Sequence, residues 1–123
     1  MTEWTKDELK DFETVEALQN RPYADDGKNF EQDIPTWTVV DNGNLYVRGA
    51  KGKDTKWVDF GTRNGGQVGT NGKNYEVNYE VVSDPVEIKA VSEAFTSKYP
   101  AGSILTMMTG KTAESAIVKL TKK

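Results

Sequence analysis

Thr36-Trp-Thr-Val-Val-Asp-Asn-Gly-Asn-Leu-Tyr-Val-Arg48 is the stretch that decides the fold. Two runs of β-branched and aromatic residues flank Asn42-Gly43, a dipeptide typical of the two-residue type I′ turn of a β-hairpin. That turn fixes the register and places Trp37 opposite Arg48, where a cation–π pair is expected. Alternation divides the strands into two faces, one with Thr38, Val40, Leu45 and Val47, the other with Trp37, Val39, Tyr46 and Arg48.

A run of cations follows this hairpin. Glycines at positions 49 and 52 would let backbone N–H groups approach an anion closely. Arginine and nearby ammonium groups are the side chains that recognise phosphate. The candidate phosphate-binding residues are Arg48, Lys51, Lys53 and Lys56. Because charge runs most often face water, a solvated loop with Arg48 paired to a carboxylate remains the alternative.

The aromatic residues of this region also have two interpretations. Trp37, Tyr46 and Trp57 are candidates for the walls of a ligand pocket, which aromatic side chains often line. The alternative is core packing with one polar atom hydrogen-bonded. The sequence leaves both interpretations open.

Composition narrows the class of protein. The chain has 123 residues, so we expect a single domain spanning 1–123. A formal net charge of −3 argues against binding to nucleic acid. No apolar stretch reaches the length of a membrane span, and the polar N-terminus does not resemble a secretion signal. We therefore expect a soluble cytoplasmic protein without a membrane or nucleic-acid partner.

The sequence contains neither His nor Cys. This excludes Ser-His-Asp and Cys-His nucleophilic catalysis, Cys/His zinc sites and redox dithiols. Any general acid or base must be Asp, Glu, Lys or Tyr. A cofactor that brings its own reactivity is compatible with this limited set of side chains, and so is a protein that only binds a ligand.

Three helices are predicted. Thr5 and Glu8 form a capping box that begins an N-terminal helix. A short helix is expected near 54–64. The third helix, near 85–99, begins at the cap Asp84, with Glu87 completing a second capping box.

The remaining apolar runs are typical of strands. A strand is predicted within 16–23, and the dipeptide at 71–72 predicts a second hairpin leading into the alternating run 73–82. The face of that run with Tyr75 and Tyr79 is expected to pack under the third helix, the alternative being a dimer surface. Two final strands are predicted at 104–108 and 116–120. Together these elements indicate an α+β fold built on a small antiparallel split β-barrel.

Several short motifs resemble one family. The N-terminal Trp-Thr-x-x-Glu-Leu, then Thr-Trp-x-Val, then Leu-Tyr-Val-Arg, together with the helix from Asp84 to Tyr99, resemble the uncharacterised bacterial family called domain of unknown function 2255. That family is similar in fold to split barrels of the pyridoxamine-phosphate oxidase and flavin-reductase type, including deazaflavin-dependent nitroreductases.

The resemblance implies a cofactor and a partner. Many of those proteins are homodimers that bind FMN or a related flavin between subunits. By analogy, Arg48, Lys51, Lys53 and Lys56 would hold the phosphate, and Trp37 and Tyr46 would lie beside the ring. The sequence thus predicts a flavin (FMN) or deazaflavin binder, with oxidoreductase activity as its expected chemistry. The alternative is a non-enzymatic small-molecule-binding or interaction domain that keeps the barrel without a cofactor.

Overall fold

The computed structural model describes residues 4–48, 56–70, 72–99 and 117–123. In chain order these contain helix α1 (Lys6–Thr14), strands β1 (Ala17–Pro22), β2 (Ile34–Asp41) and β3 (Asn44–Arg48), helix α2 (Lys56–Asn64), strands β4 (Gly66–Thr70) and β5 (Lys73–Val81), helix α3 (Pro85–Lys98) and strand β6 (Ile117–Lys122). The strands pair antiparallel and close into a barrel in the order β1-β2-β3-β6-β5-β4. The predicted α+β fold on a small antiparallel barrel is confirmed, and the strand predicted at 104–108 lies outside the described residues.

The β2–β3 hairpin has the predicted turn and register. Asn42 and Gly43 have φ angles of 50° and 77°, as a type I′ turn requires at both central positions. Thr38 pairs with Val47, as predicted. The two predicted faces are also confirmed. One contributes Val40, Leu45 and Val47 to the cluster inside the barrel, and the other contributes Trp37, Val39 and Tyr46 to a second cluster outside it.

Helices α1 and α2 cover different ends of the barrel interior. Tyr75, near the start of β5, packs its ring against those of Trp4 and Phe12 from the α1 region. Tyr79, four residues further along the strand, contacts the ring of Trp57 from α2. Both tyrosines therefore point into the barrel, and the prediction that they lie under the third helix is wrong. Alternation separated the two faces of β5 but did not identify the element that covers each.

Helix α3 packs on the outside of the barrel. Its Val91 and Phe95 are fully buried against residues of β2, β3 and β6. It is the longest helix of the described chain, with 14 residues. Within the described ranges, no helix is both long enough and apolar enough to cross a membrane. This outer layer between α3 and the barrel contains three of the predicted site residues, Trp37, Tyr46 and Arg48.

The two predicted capping boxes have different outcomes. In α1, Thr5 and Glu8 exchange backbone-to-side-chain hydrogen bonds of 2.8 and 3.2 Å, so that capping box is confirmed. In α3, Asp84 accepts a hydrogen bond from the N–H of Val86 at 3.0 Å, but Glu87 does not reach back to the cap. Its carboxylate instead contacts Tyr46 of β3 and Lys119 of β6. The prediction of a second capping box was therefore wrong.

Candidate functional site

Arg48, the last residue of β3, is buried between the barrel and α3. Its position on the outward face of the strand directs the side chain under the helix. The residue is 1% exposed, and its Nη2 donates a hydrogen bond of 2.7 Å to the hydroxyl oxygen of Ser92. The guanidinium carbon lies 5.4 Å from the ring centre of Phe95, a cation–π distance. The fold therefore holds a permanent positive charge directly behind α3.

A groove of about 770 Å³ runs along α3, on the side where Ser92 is found. Its described lining consists of Pro85, Ile88, Lys89, Ser92, Glu93, Thr96 and Ser97. A hydroxyl is both donor and acceptor, so Ser92 can accept from Arg48 and still donate its own hydrogen. Ser92 thus connects the buried guanidinium with the groove. The sequence predicted neither this serine nor the groove, because no local motif marks a hydroxyl on a helix face.

Two charges flank Ser92 on the groove side of α3. Lys89 lies three residues before it and Glu93 directly after it, and both line the groove. Among the salt bridges of the described residues, none involves Lys89 or Glu93. The groove therefore offers a cation, a hydroxyl donor and an anionic acceptor within about one helical turn.

The predicted cluster of four cations is described only in part. Lys56 lies at the start of α2, where its ammonium forms a salt bridge of 2.7 Å with Glu31 while the side chain stays 63% exposed. The hydrogen bond of Arg48 goes to Ser92, whereas the salt bridge of Lys56 goes to Glu31. Lys51 and Lys53 lie outside the described residues. A phosphate clamp made of all four residues stays a prediction.

Trp37 stacks on Tyr99, the residue that follows α3. The ring centres are 3.9 Å apart and the planes differ by 2°. The Tyr99 hydroxyl lies 2.5 Å from the Glu16 carbonyl oxygen and 2.9 Å from the Thr38 backbone nitrogen. Burial raises the pKa of Tyr99 to about 12. The sequence predicted a cation–π pair between Trp37 and Arg48. In the structure, Trp37 stacks on Tyr99, and the Arg48 guanidinium lies over the ring of Phe95.

Tyr46 is 1% exposed beneath α3, and its hydroxyl donates a hydrogen bond to the Glu87 carboxylate. Lys119 of β6 forms a salt bridge of 3.0 Å with the same carboxylate. Burial, with Glu87 beside it, raises the pKa of Tyr46. The hydrogen bond from Tyr46, and then Lys119, lower the pKa of Glu87. These charge-assisted contacts explain why Glu87 leaves the helix cap and ties the first turn of α3 to the barrel.

Glu87→Gln is expected to lower the free energy of unfolding by about 1 kcal/mol at pH 7, the value of a partly exposed charged hydrogen bond. Because the folded pKa of Glu87 lies below its ordinary value, its stabilisation is present above about pH 4.5 and is lost as pH falls through the folded pKa. The difference in unfolding free energy between parent and variant should therefore shrink as pH falls below about 4.5, as measured by urea unfolding. Glu93→Gln, on the same helix, is the control. A difference that is unchanged at pH 3 would contradict this assignment.

The described residues provide no metal centre. Among them, no group of three or more acidic side chains is placed to hold an ion. Trp57, the third aromatic candidate, is 5% exposed in the barrel core. Trp57 therefore belongs to the core and is not part of the described lining of the groove along α3.

Comparison with known proteins identifies the family. The family model described as "Uncharacterized protein conserved in bacteria (DUF2255)" matches residues 8–120. No curated protein and no solved structure matches the chain. The matched span contains α2, α3 and strands β1 to β5, and thus the groove and Arg48. The chain belongs to this bacterial family, DUF2255.

Proposed function

We propose that this protein binds a small ligand with an anionic group, of the FMN or deazaflavin type, in the groove along α3. The observation that carries the proposal is the hydrogen bond of 2.7 Å from the buried Arg48 guanidinium to Ser92. Because Arg48 supplies the hydrogen of that bond, Ser92 keeps its own hydroxyl hydrogen for an acceptor in the groove. A negatively charged acceptor forms the strongest hydrogen bond with this hydroxyl.

Electrostatics support an anionic ligand. The Arg48 guanidinium lies in the protein interior and donates a hydrogen bond to the Ser92 hydroxyl, which faces the groove side of α3. Lys89 adds a second cation on the groove wall. The negative charge of Glu93 repels an anion nearby. The anionic group of the ligand is therefore assigned to the space between Lys89 and Ser92. The Glu93 carboxylate then offers an acceptor for an N–H group of the ligand.

Size and lining fit a phosphorylated heterocycle. The groove volume of about 770 Å³ falls within the range usual for small-molecule sites, roughly 300–1,000 Å³. Ser92 and Lys89 would hold the phosphate, while Pro85 and Ile88 at the other part of the groove would contact the apolar ring. A bound flavin would supply the electron transfer, and the protein would supply position and charge.

The proposal does not use every residue that the family resemblance suggested. Tyr46 is covered by α3, and one face of Trp37 is covered by Tyr99, so neither is assigned to the ring in this groove. Contributions from Lys51, Lys53 and a second subunit stay predictions. Light scattering of the protein with and without FMN would measure whether a homodimer forms.

The second candidate is a binding protein without redox chemistry. The observation that favours it is the use of Trp37 and Tyr46 in packing instead of at an open ring site. Both candidates place the anionic group at Ser92, but they differ in the rest of the ligand. A flavin binder distinguishes FMN from inorganic phosphate strongly, whereas a general anion binder does not.

Flavin titration tests this function. FMN is expected to bind with a dissociation constant well below about 1 mM, and riboflavin, which lacks the phosphate, to bind at least tenfold more weakly, because a charged hydrogen bond contributes about 1.5–3 kcal/mol. Quenching of flavin fluorescence measures both constants. Ser92→Ala and Lys89→Ala should weaken FMN and leave riboflavin unchanged. Lys10→Ala, at an exposed position of α1, is the control.

Two outcomes would end the proposal. If FMN and the deazaflavin both fail to bind below about 1 mM, the cofactor class is wrong. If FMN binds but Ser92→Ala and Lys89→Ala bind it as the parent does, the groove along α3 is not the site.

A further inference from the structure

Lys98, the last residue of α3, presents an amine where α3 meets α1 and β2. Its Nζ lies 2.7 Å from the backbone carbonyl oxygen of Thr38 and 3.1 Å from that of Phe12. The side chain is partly buried and lies 5.3 Å from the ring centre of Tyr99. The proposed function does not use this amine, and no sequence motif marked it.

A second cavity, of about 280 Å³, has Lys98 on its wall. Its described lining consists of Glu13, Val39, Val40, Ala94, Ser97 and Lys98. An amine nitrogen has four tetrahedral positions, one of which is the bond to its own carbon. The carbonyls of Thr38 and Phe12 occupy two more by accepting N–H bonds. The fourth position is a third N–H when the amine is charged and the nucleophilic lone pair when it is neutral.

We propose that Lys98 is a carbonyl-binding residue whose amine forms a reversible imine with a small aldehyde or ketone seated in this cavity. The nitrogen lone pair attacks the carbonyl carbon, and the C=O π electrons move to oxygen. A proton transfers from nitrogen to that oxygen, giving a carbinolamine. Loss of water then leaves a C=N bond, and hydrolysis reverses the sequence without an oxidant or reductant.

Burial increases the fraction of this amine that is neutral near pH 8. Burial lowers the pKa of Lys98 to about 8, and Glu13 of α1 opposes that change. The other titratable group beside it is Tyr99, whose pKa of about 12 keeps its hydroxyl neutral. Strand β2 contributes the apolar side chains of Val39 and Val40 to the cavity wall. It also contributes the Thr38 carbonyl, whose dipole favours the charged form of the Lys98 amine. Glu13 also lines the cavity, and in this proposal its carboxylate carries the protons of carbinolamine dehydration.

Size selects the ligand class. A cavity of about 280 Å³ admits a short or branched aliphatic carbonyl compound, since one of 150 Å³ already holds benzene. Val39, Val40 and Ala94 give its wall an apolar character. The ligand is therefore a small, largely apolar carbonyl compound. This cavity is separate from the Lys89–Ser92 part of the groove, and the inference does not depend on flavin binding.

Reductive trapping on the intact protein tests the proposal. The native chain is incubated with isobutyraldehyde and cyanoborohydride at pH 8, without flavin, and alkylated lysines are mapped by peptide mass spectrometry. Lys98 should be alkylated at least tenfold faster than Lys10, because its neutral fraction at pH 8 exceeds that of an ordinary lysine by about two orders of magnitude. The advantage should shrink towards pH 10.5 and disappear in denaturant.

Ala94→Leu provides the matched variant, because it fills the cavity and keeps the amine. It should reduce alkylation of Lys98 at least fivefold and leave Lys10 unchanged, with circular dichroism confirming the fold. A purely structural lysine, holding the Phe12 and Thr38 carbonyls, would be alkylated no faster than Lys10. That result, measured on the parent protein, is sufficient to overturn the proposal. An Ala94→Leu variant that folds and whose Lys98 is alkylated at the parent's rate would also overturn it.

Discussion

Arg48→Ala is expected to lower the free energy of unfolding by about 3–5 kcal/mol, the usual cost of removing a large buried side chain. Arg48 is among the largest fully buried side chains of the described chain. The substitution removes the hydrogen bond to Ser92 and the contact with the Phe95 ring, and it leaves a cavity between β3 and α3. The helix should therefore dock less firmly on the barrel.

Arg48→Met separates packing from charge. Methionine keeps most of the side-chain volume, so this variant should lose only about half as much stability as Arg48→Ala. Both variants lack the guanidinium that donates to Ser92, so each should weaken FMN by about 1 kcal/mol, roughly fivefold, the value of one intramolecular hydrogen bond. Urea unfolding and flavin titration of the same samples measure the two effects.

Two results would contradict this assignment. If Arg48→Met binds FMN as the parent does, the arginine acts only in packing. If Arg48→Ala unfolds at the parent's urea concentration, the burial of Arg48 does not contribute to the docking of α3.

The parts of the fold that the sequence predicted are those fixed by local chemistry. Asn42-Gly43 determines a turn because few other dipeptides accept positive φ at both positions. Thr5 and Glu8 determine a helix start because both partners lie within four residues. Neither prediction depends on where the rest of the chain lies.

The wrong predictions are those in which a distant partner competed with a local one. Glu87 satisfies the capping-box pattern, but Tyr46 and Lys119 offer its carboxylate stronger, charge-assisted contacts. Tyr75 and Tyr79 alternate as predicted, yet only the closure of the barrel directs that face inward. Periodicity specifies that a face is buried, and topology specifies what covers it.

The site was partly predictable for the same reason. The sequence indicated Arg48 as a candidate because cations beside glycines have a recognisable pattern, and its role in binding stays a prediction. Ser92 and Lys98 could not, because each gains its chemical character from residues at least 44 positions away in the sequence. Their environment exists only after α3 has packed on the barrel.

Gly61→Ala is expected to destabilise the protein by about 2–3 kcal/mol, the typical cost of overpacking a core. This reverses the usual effect, since replacing glycine by alanine inside a helix normally stabilises it by roughly 1 kcal/mol. A Cβ atom at position 61 of α2 would lie 2.4 Å from Cδ2 and 2.7 Å from Cγ of Tyr79. Both atoms belong to the ring, so a small shift at the tip of the side chain cannot relieve the clash.

The ring of Tyr79 is fixed on three sides. Gly66 lies on another side, where a Cβ would be 2.9 Å from Cε1 of the ring. The Tyr79 hydroxyl donates a hydrogen bond of 2.6 Å to the side-chain oxygen of Asn20, whose amide in turn donates to Thr36 at 3.3 Å. Moving the ring would break this buried network, and each buried polar group left unpaired costs about 1–3 kcal/mol. The barrel interior therefore requires glycine at position 61.

A double-mutant cycle in urea tests this requirement. Tyr79→Leu removes the ring, so Gly61→Ala should cost at least about 1 kcal/mol less in that background than in the parent. Thr62→Ala, the exposed neighbour on α2, is the control and should stay within about 0.5 kcal/mol of the parent. If Gly61→Ala is as stable as the parent, α2 does not pack closely against the Tyr79 ring at position 61. If its cost is the same with and without the ring, the cause lies in the helix backbone instead of the contact with Tyr79.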